Sequence, residues 1–313
     1  MEGRHAVPAV FAVVPTFNPD AEAVDRLSVL SAQVDHVIVV DDGSSPVADP
    51  VLAAIVEAGH ELVRSGSNRG IAAALNSGIE LALERNADYV LTMDQDSILA
   101  DGYVEACLAA FDLTVPATRL GIVLSDRVNG LPAIPARRSP EGLGLVDEGI
   151  QSGALVSAEC LRVAGLMDES LVIDCVDTEF CLRAADAGFK LAVAPGTDMQ
   201  HSLGHRAPLR PFGVQLRHGG RIARYQYHSP FRQYYIVRNN IDLILRNASR
   251  RPRWVGAVVK RELGPRATTI VSGPHRLRQV LAVLVGTVHG LVRRRGKIPG
   301  WLARALAIPP LRL

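Results

Sequence analysis

Cysteine is scarce in this 313-residue chain: there are four, Cys107, Cys160, Cys175 and Cys181. They form no C-x-x-C pair and show no His/Cys spacing of a zinc site. That excludes a disulfide framework or zinc module and points to reduced thiols in a cytosolic protein. Long apolar runs are missing as well. The longest near the tail, Val280–Val292, carries His289 and falls short of the roughly 20 residues a membrane-spanning helix needs. The first apolar stretch is broken by Pro8 and Pro15, so no secretory leader is expected. There is no internal repeat and no low-complexity tract. Acid is nearly absent from one region: from Arg246 onward Glu262 stands alone against 15 Lys and Arg, a formal charge of +14. The remainder is −12, so the net charge of +2 conceals an acidic body and a basic tail, which suggests two different tasks.

What is present is largely aliphatic. The chain is 48% hydrophobic with 5% aromatic residues, ample for one large domain or one domain plus an appendage. Ala9–Phe17 reads as a buried strand ending at a Pro turn, and residues 21–33 have helical spacing with Val24, Leu27 and Leu30 on one face. The β-branched run in DHVIVVDDGSS is continuous, as in a strand covered on both faces. PVLAAIVEAGH reads as a helix, ELVRSGSNRG as a short strand with a Gly-bearing loop, IAAALNSGIELALERN as a helix and ADYVLTMDQDS as a fourth strand. This alternation predicts an α/β sheet with parallel strands. Further on, LGIVLSDRV reads as a strand and Pro132–Gly144 as a Pro/Gly-rich mobile loop. DEGIQSGALVSAECLRVAGLMDES reads as a strand and then a helix, VDTEFCLRAADAGF as a helix ending before Gly188, and KLAVAPG as a last strand. From Pro230 the chain turns helical and basic.

Polar residues gather where the strands end: Thr16 and Asn18, Asp41 and Asp42, Asp94 and Asp96. In an open parallel sheet ligands bind beyond the carboxyl ends of the strands, so three strand ends point at one site. Asp94 and Asp96 are one residue apart, and like charges so close call for a divalent cation, a shared proton or solvent. Oxygen ligands on a short loop suit Mg2+ or Mn2+ held jointly with substrate phosphates; a solvated strand end with Asp96 as a cap is the plain alternative. Asp41-Asp42-Gly43-Ser44-Ser45 suits a donor on a nucleotide ring or ribose, or simple turn chemistry. Asp177 and Glu179 open a helix, where the dipole favours acids; the functional alternative makes one of them a general base.

VVPTFNP, VIVVDDGSS, SNRGIAAALNSGI, LTMDQDS, QSGALVSAECLRVAGLMDE, VDTEFCLRAADAGF and QHSLG occur in this order. Together, from about Ala9 to Leu245, they resemble the inverting nucleotide-sugar glycosyltransferases of family 2. D-Q-D-S, V-D-T-E and the later SPFRQYYIVRNNI are similar to the branch that uses dTDP-L-rhamnose. The resemblance implies the GT-A fold: a Rossmann-like mixed α/β sheet flanked by helices over residues 1–245, then a basic, mainly helical extension over 246–313. It implies Pro15, Thr16 and Phe17 beside the base, and Asp41 or Asp42 on the base or ribose. It sets Arg69 and Gly70 near the pyrophosphate, with Asn76 on the following helix. Asp94, with Gln95 next to it, would face the ribose, and Asp96 and His201 the Mg2+ or Mn2+ between the phosphates. Asp177 matches the catalytic base and Glu179 an acid on the acceptor side; where many relatives carry E-D, this chain has Val176-Asp177. The implied reaction moves L-rhamnose from dTDP-L-rhamnose, with inversion, to a hydroxyl of a glycan or lipid-linked acceptor. Cell-envelope polysaccharide, glycolipid or glycosylated-metabolite synthesis would be its setting, and a UDP-sugar is the alternative donor.

LTMDQDSIL also fits the entry motif of haloacid-dehalogenase-like phosphatases, with Asp94 as nucleophile and Asp96 as acid/base. That reading needs a later lysine, and Lys190 is the only one between Asp96 and His201. No nucleic-acid partner is expected, because the body is acidic and no nucleic-acid motif accompanies Arg293–Arg295. The tail combines basic residues with Trp254, Trp301 and apolar runs. That mixture suits peripheral binding to an anionic membrane, here the inner face of the plasma membrane; folding onto the acidic body or a homo-oligomer contact is the alternative.

Overall fold

The computed structural model describes residues 8–114, 118–202 and 206–307. The first seven residues, part of the start read for a leader, lie outside the described residues, as do Leu203 and Gly204 of the QHSLG motif. The chain forms two compact units: Met1–Val172 with Val176–Ser202, and Ile173–Cys175 with Leu203–Leu313.

The first unit runs β1 (Val10–Thr16), α1 (Ala23–Ser31), β2 (His36–Asp41), α2 (Asp49–Glu57), β3 (Glu61–Arg64), α3 (Ile71–Glu84) and β4 (Tyr89–Thr92). It continues through β5 (Ile98–Leu99), α4 (Tyr103–Asp112), β6 (Leu120–Val128), β7 (Leu131–Pro132), β8 (Arg137–Arg138), β9 (Gly144–Val146) and β10 (Ala154–Ser157). It closes with α5 (Ala158–Ala164), α6 (Val176–Asp186) and β11 (Lys190–Gln200). The strands form one sheet in the order β3-β2-β1-β4-β10-β6-β11-β9-β8, with β5 on β11 and β7 on β6.

The continuous apolar strands are buried on both faces, and alternation sorts their side chains. Val10, Ala12, Val14, Val37 and Val39 join a core with Leu27, Leu30, Leu52 and Tyr103. Phe11, Val13, Ile38 and Val40 join the opposite core with Leu75, Ile79 and Phe180. Each large aliphatic side chain so buried contributes about 1.5–3 kcal/mol, which makes the β1–β2–β4 centre the rigid platform for what its ends carry. Register aligns those ends: Thr16 stands opposite Asp41, and Thr92 opposite Val13.

The sheet is mixed, as the family resemblance implies, because β10 runs antiparallel to both β4 and β6; the alternation of elements alone suggests parallel strands, since a fully buried strand reads the same in either direction. Two further features differ from the expectation for this unit. The Pro132–Gly144 segment is not merely loop: Arg137 and Arg138 in β8 pair with Leu145 and Gly144 of β9, which itself pairs with β11. Finally, the strand begun by KLAVAPG does not stop at Gly196. Its register shifts between Ala194 and Asp198, where Pro195 lacks a donor and Gly196 takes φ +80°, and pairing then resumes to Met199 and Gln200.

The second unit holds β12 (Arg206–Pro208), β13 (Arg217–His218), β14 (Arg221–Ile222) and β15 (Arg224–Gln226). Four helices follow: α7 (Pro230–Asn247), α8 (Pro252–Ser272), α9 (Arg276–Leu291) and α10 (Gly300–Leu306). Ser229 caps α7 by accepting from Arg232 N, and Pro230 fills its first turn. α9 packs closely on α7 because Gly290 lacks a Cβ, which would come 2.7 Å from Ile241 Cβ and 2.8 Å from Arg238 O. Residues 245 and 246, between which the basic extension is expected to begin, both lie in α7. No described helix is long and apolar enough to cross a membrane.

Candidate active site

The carboxyl ends of β1, β2 and β4 carry the expected polar residues. Asp94–Ser97 form a tight turn after β4, closed by Ser97 N donating to Asp94 O at 3.2 Å. Gln95 in that turn reaches back to β1: Thr16 Oγ1 and Phe17 N donate to its Oε1 at 2.5 and 2.9 Å. Arg26 Nε donates to Gln95 O at 2.8 Å and its Nη2 to Asp20, pinning the turn to α1.

β5 then does something no local pattern announces. It pairs with the far end of β11, Leu99 opposite Met199 and Ile98 opposite Gln200, and so brings His201 against the turn. His201 Nδ1 lies 3.8 Å from Asp94 Oδ2 and 3.7 Å from Asp96 Oδ1. One ligand atom from each of the three falls within 4.8 Å of the others. Two carboxylates and an imidazole at this spacing are a donor set that fits Mn2+ or Mg2+.

Sequence reasoning assigned no role to the residues that hold this cluster. Ser152 Oγ accepts from Asp94 N at 3.0 Å and donates to Ser97 Oγ at 2.8 Å, and Ser97 Oγ stands 2.9 Å from His201 Nδ1. Gln151 Nε2 donates to Asp94 Oδ1, and Thr92 Oγ1 donates to Gln151 O at 2.5 Å. Gln151 and Ser152 precede β10, whose antiparallel course delivers them to the strand ends. The QSG that opens one of the family motifs was the available signal.

Several site candidates have structural partners. Asp42 accepts from Arg69 N at 2.6 Å and Gly70 N at 2.8 Å, one bond on each oxygen, and is only 4% exposed. It braces the loop expected near the pyrophosphate. Asp41 accepts from Ser44 N at 3.0 Å and pairs with Arg64 at 3.2 Å. Arg69 itself pairs with Glu169 at 2.9 Å, with both side chains about half exposed. Asn76 does not present its amide to a ligand loop: Nδ2 donates to Met167 O and Glu169 Oε1, and Oδ1 accepts from Met167 N. Gly70 has φ +100°, and a Cβ there would come 2.5 Å from Val172 O, so glycine is required at this close approach of two chain segments.

Asp177 sits in the first turn of α6, where negative charge is favoured, and accepts from Thr178 N at 2.8 Å. With Thr92, Gln151 and Phe180 it walls a cavity of about 10 Å³. Glu179, expected on the acceptor side, is gripped at both oxygens by Arg183, which also donates to Ala164 O and Leu166 O. It is a clamp between α6 and the turn after α5. The four cysteines are free thiols; burial pushes Cys107 and Cys160 up to about 12, so neither is a nucleophile.

Residues 11–137 match the family described as glycosyl transferase family 2. Over 251 residues the chain is 32% identical to the dTDP-rhamnosyl transferase RfbF of Shigella flexneri, covering 76% of this chain and 80% of that protein. The chain belongs to glycosyl transferase family 2. It is a glycosyltransferase of the rhamnosyltransferase branch, which sets aside the phosphatase alternative. Among solved structures, S. aureus TarS has a TM-score of 0.55 at 15% identity, covering 96% of this chain and 50% of that one. The mannosyltransferase PcManGT of Pyrobaculum calidifontis, in complex with GDP-Man and Mn2+, has 0.54 at 15%, covering 96% and 79%. GalNAc-T7 with UDP, GalNAc and Mn2+ has 0.52 at 12%, covering 75% and 48%. The family 2 chain spans about half the length of TarS and of GalNAc-T7. These likenesses establish the GT-A fold.

Proposed function

We propose that this family 2 enzyme transfers L-rhamnose from dTDP-L-rhamnose, with inversion, to an acceptor hydroxyl. The observation that carries the reading is the convergence of Asp94, Asp96 and His201 at the strand ends; the rhamnosyl relative supports the donor. Asp177 is the base. Its carboxylate takes the acceptor proton while the acceptor oxygen forms the bond to the anomeric carbon. The bond from that carbon to the diphosphate oxygen breaks, and its electron pair leaves with the diphosphate. Thr16, Phe17 and Asp41 line the nucleoside end, with Gln95 orienting the β1 end. Asp94, Asp96 and His201 would hold a divalent cation, Mg2+ or Mn2+, which when bound would supply Lewis-acid stabilisation of charge on the departing diphosphate.

The same reading sets the enzyme at an anionic membrane surface, beside a glycan or lipid-linked acceptor. Leu284, Val288, Leu291 and Val292 are all more than half exposed along and just beyond α9, and Arg293–Arg295 and Lys297 follow directly. An isologous contact between two copies would bring these like charges together, whereas an anionic bilayer offers about 1 kcal/mol per engaged basic residue.

Calorimetric titration with dTDP-L-rhamnose, UDP-glucose, UDP-N-acetylglucosamine and GDP-mannose, with and without Mn2+, tests the donor. Asp177→Asn tests the base and should lower turnover by on the order of 10²-fold or more with donor binding unchanged. Preference for a UDP-sugar would overturn the rhamnosyl reading, and an active Asp177→Asn the base.

A further inference from the structure

The second unit takes three residues, Ile173–Cys175, from the middle of the first, and they end two residues before Asp177. The backbone there is strained. Val172, Asp174 and Cys175 have φ of 69°, 63° and 61°. Positive φ is uncommon outside glycine and an outlier for a β-branched residue such as Val172, and such backbone persists only where its surroundings over-determine it.

The surroundings do so. Within the second unit, Asn239 Nδ2 donates to Ile173 O and to Asp174 O, both at 2.9 Å. Arg232 grips the Asp174 carboxylate, Nε at 3.0 and 3.3 Å from its two oxygens and Nη2 at 2.9 Å from Oδ1. Arg238 Nε donates to Asn239 Oδ1 at 2.8 Å, which fixes the direction in which the amide presents its donors. Asn239 and Arg238 are 1% and 2% exposed, so water does not substitute for these bonds. Arg232 and Asn239 are seven residues apart, two turns of α7, and therefore share one face. Within the first unit, Val172 O presses on Gly70 and the Asn76 amide fastens Met167 and Glu169. The strap from Met167 to Cys175 is thus tied at both ends and runs straight into the first turn of α6.

We propose that Asn239 and Arg232 are positioning residues for the transfer step. They hold the strained 173–175 backbone and thereby aim the Asp177 carboxylate at the acceptor hydroxyl, without touching substrate. This rests on Asp177 being the base. It gives SPFRQYYIVRNNI a mechanical task. A displacement of about 1 Å at a reacting group costs on the order of 10²-fold in rate, so a loosened strap should be visible in turnover.

Asn239→Asp keeps size and the partner of Arg238 but removes both donors; Arg232→Gln removes the ion pair at a half-exposed position, and Arg232→Lys is the conservative control. The first two should lower kcat by about 10- to 100-fold while donor KM and donor Kd stay within about two-fold of wild type. In the substrate-free protein, amide exchange at residues 176–179 should quicken by about ten-fold with β1 and β4 unchanged. Arg232→Lys should recover at least half of the lost kcat. Wild-type kcat in well-folded Asn239→Asp and Arg232→Gln would overturn the proposal, as would a kcat loss matched by an equal rise in donor Kd. If the wild-type protein turns over no nucleotide sugar, the functional reading fails. Exchange at 176–179 then decides the strap by itself, and wild-type exchange in both variants would refute it.

Discussion

Ser152→Ala removes one hydroxyl and should be felt at an atom it never touches. Ser152 is 2% exposed; its Oγ accepts from Asp94 N at 3.0 Å and reaches Ser97 Oγ at 2.8 Å and Met199 Sδ at 3.7 Å. The substitution leaves the Asp94 N–H without its acceptor in a place water does not reach, at a cost of about 1–3 kcal/mol. It also frees the Ser97 hydroxyl, which stands 2.9 Å from His201 Nδ1. Supporting hydrogen bonds of this kind typically carry about 10- to 100-fold in metal affinity, or about 1.4–2.7 kcal/mol. The two figures are of one size because they describe one set of bonds, so the stability loss and the affinity loss should be correlated rather than additive with those of Ser97→Ala. Binding of Mn2+ in the presence of a nucleoside diphosphate, followed by electron paramagnetic resonance, reads the affinity. Thermal melting reads the stability, where 1 kcal/mol corresponds to a few degrees in a chain of this length. Manganese affinity within two-fold of wild type, with an unshifted melting temperature, would refute the relay as the support of the cluster.

Arg183→Ala should destabilise the first unit by about 3 kcal/mol, because it removes the bidentate partner of the buried Glu179 carboxylate and the donors to Ala164 O and Leu166 O. Glu179→Gln should retain transfer; loss of transfer at an unchanged melting temperature would return Glu179 to the acceptor side. Burial, with Arg232 and Arg266 nearby, pushes His228 down to about 4 from its ordinary value near 6.5. The unfolded chain therefore binds the proton first as pH falls, and stability present above pH 6.5 is lost progressively toward pH 4. His228→Asn should flatten the urea-midpoint difference between pH 7 and pH 4.5, and an unchanged difference would disprove it. On membranes, the protein should co-sediment with anionic vesicles and detach at high salt, and Leu284→Ser with Leu291→Ser should weaken binding; equal recovery with neutral vesicles would rule the surface out.

The parts of the site that were legible in the sequence are those whose signal is local. Strands covered on both faces gave continuous Val and Ile runs, and acids placed just beyond them pointed to one end of the sheet as the ligand-binding end. Asp94, Asp96 and His201 were all visible as residues, but not as neighbours. Their meeting depends on a two-residue strand and on a bulge that carries β11 past Pro195, and neither leaves a periodic trace. The direction of β10 was hidden for a related reason: a run buried on both faces is symmetric under reversal, yet only the antiparallel course brings Gln151 and Ser152 to the metal end. Glu179 is the instructive case, because its partner was within reach. Arg183 lies four residues on, the spacing at which side chains on a helix meet, and that pairing pointed to a clamp. Asn76 offered no such hint, since its partners lie 91 and 93 residues away. A polar residue in a family motif can therefore serve substrate or backbone. What separates the two is geometry: Asp42, with a backbone N–H on each oxygen, is a brace, while Asp94, Asp96 and His201, two of them also held by Gln151 and Ser97, bring one ligand atom each within 4.8 Å of the others.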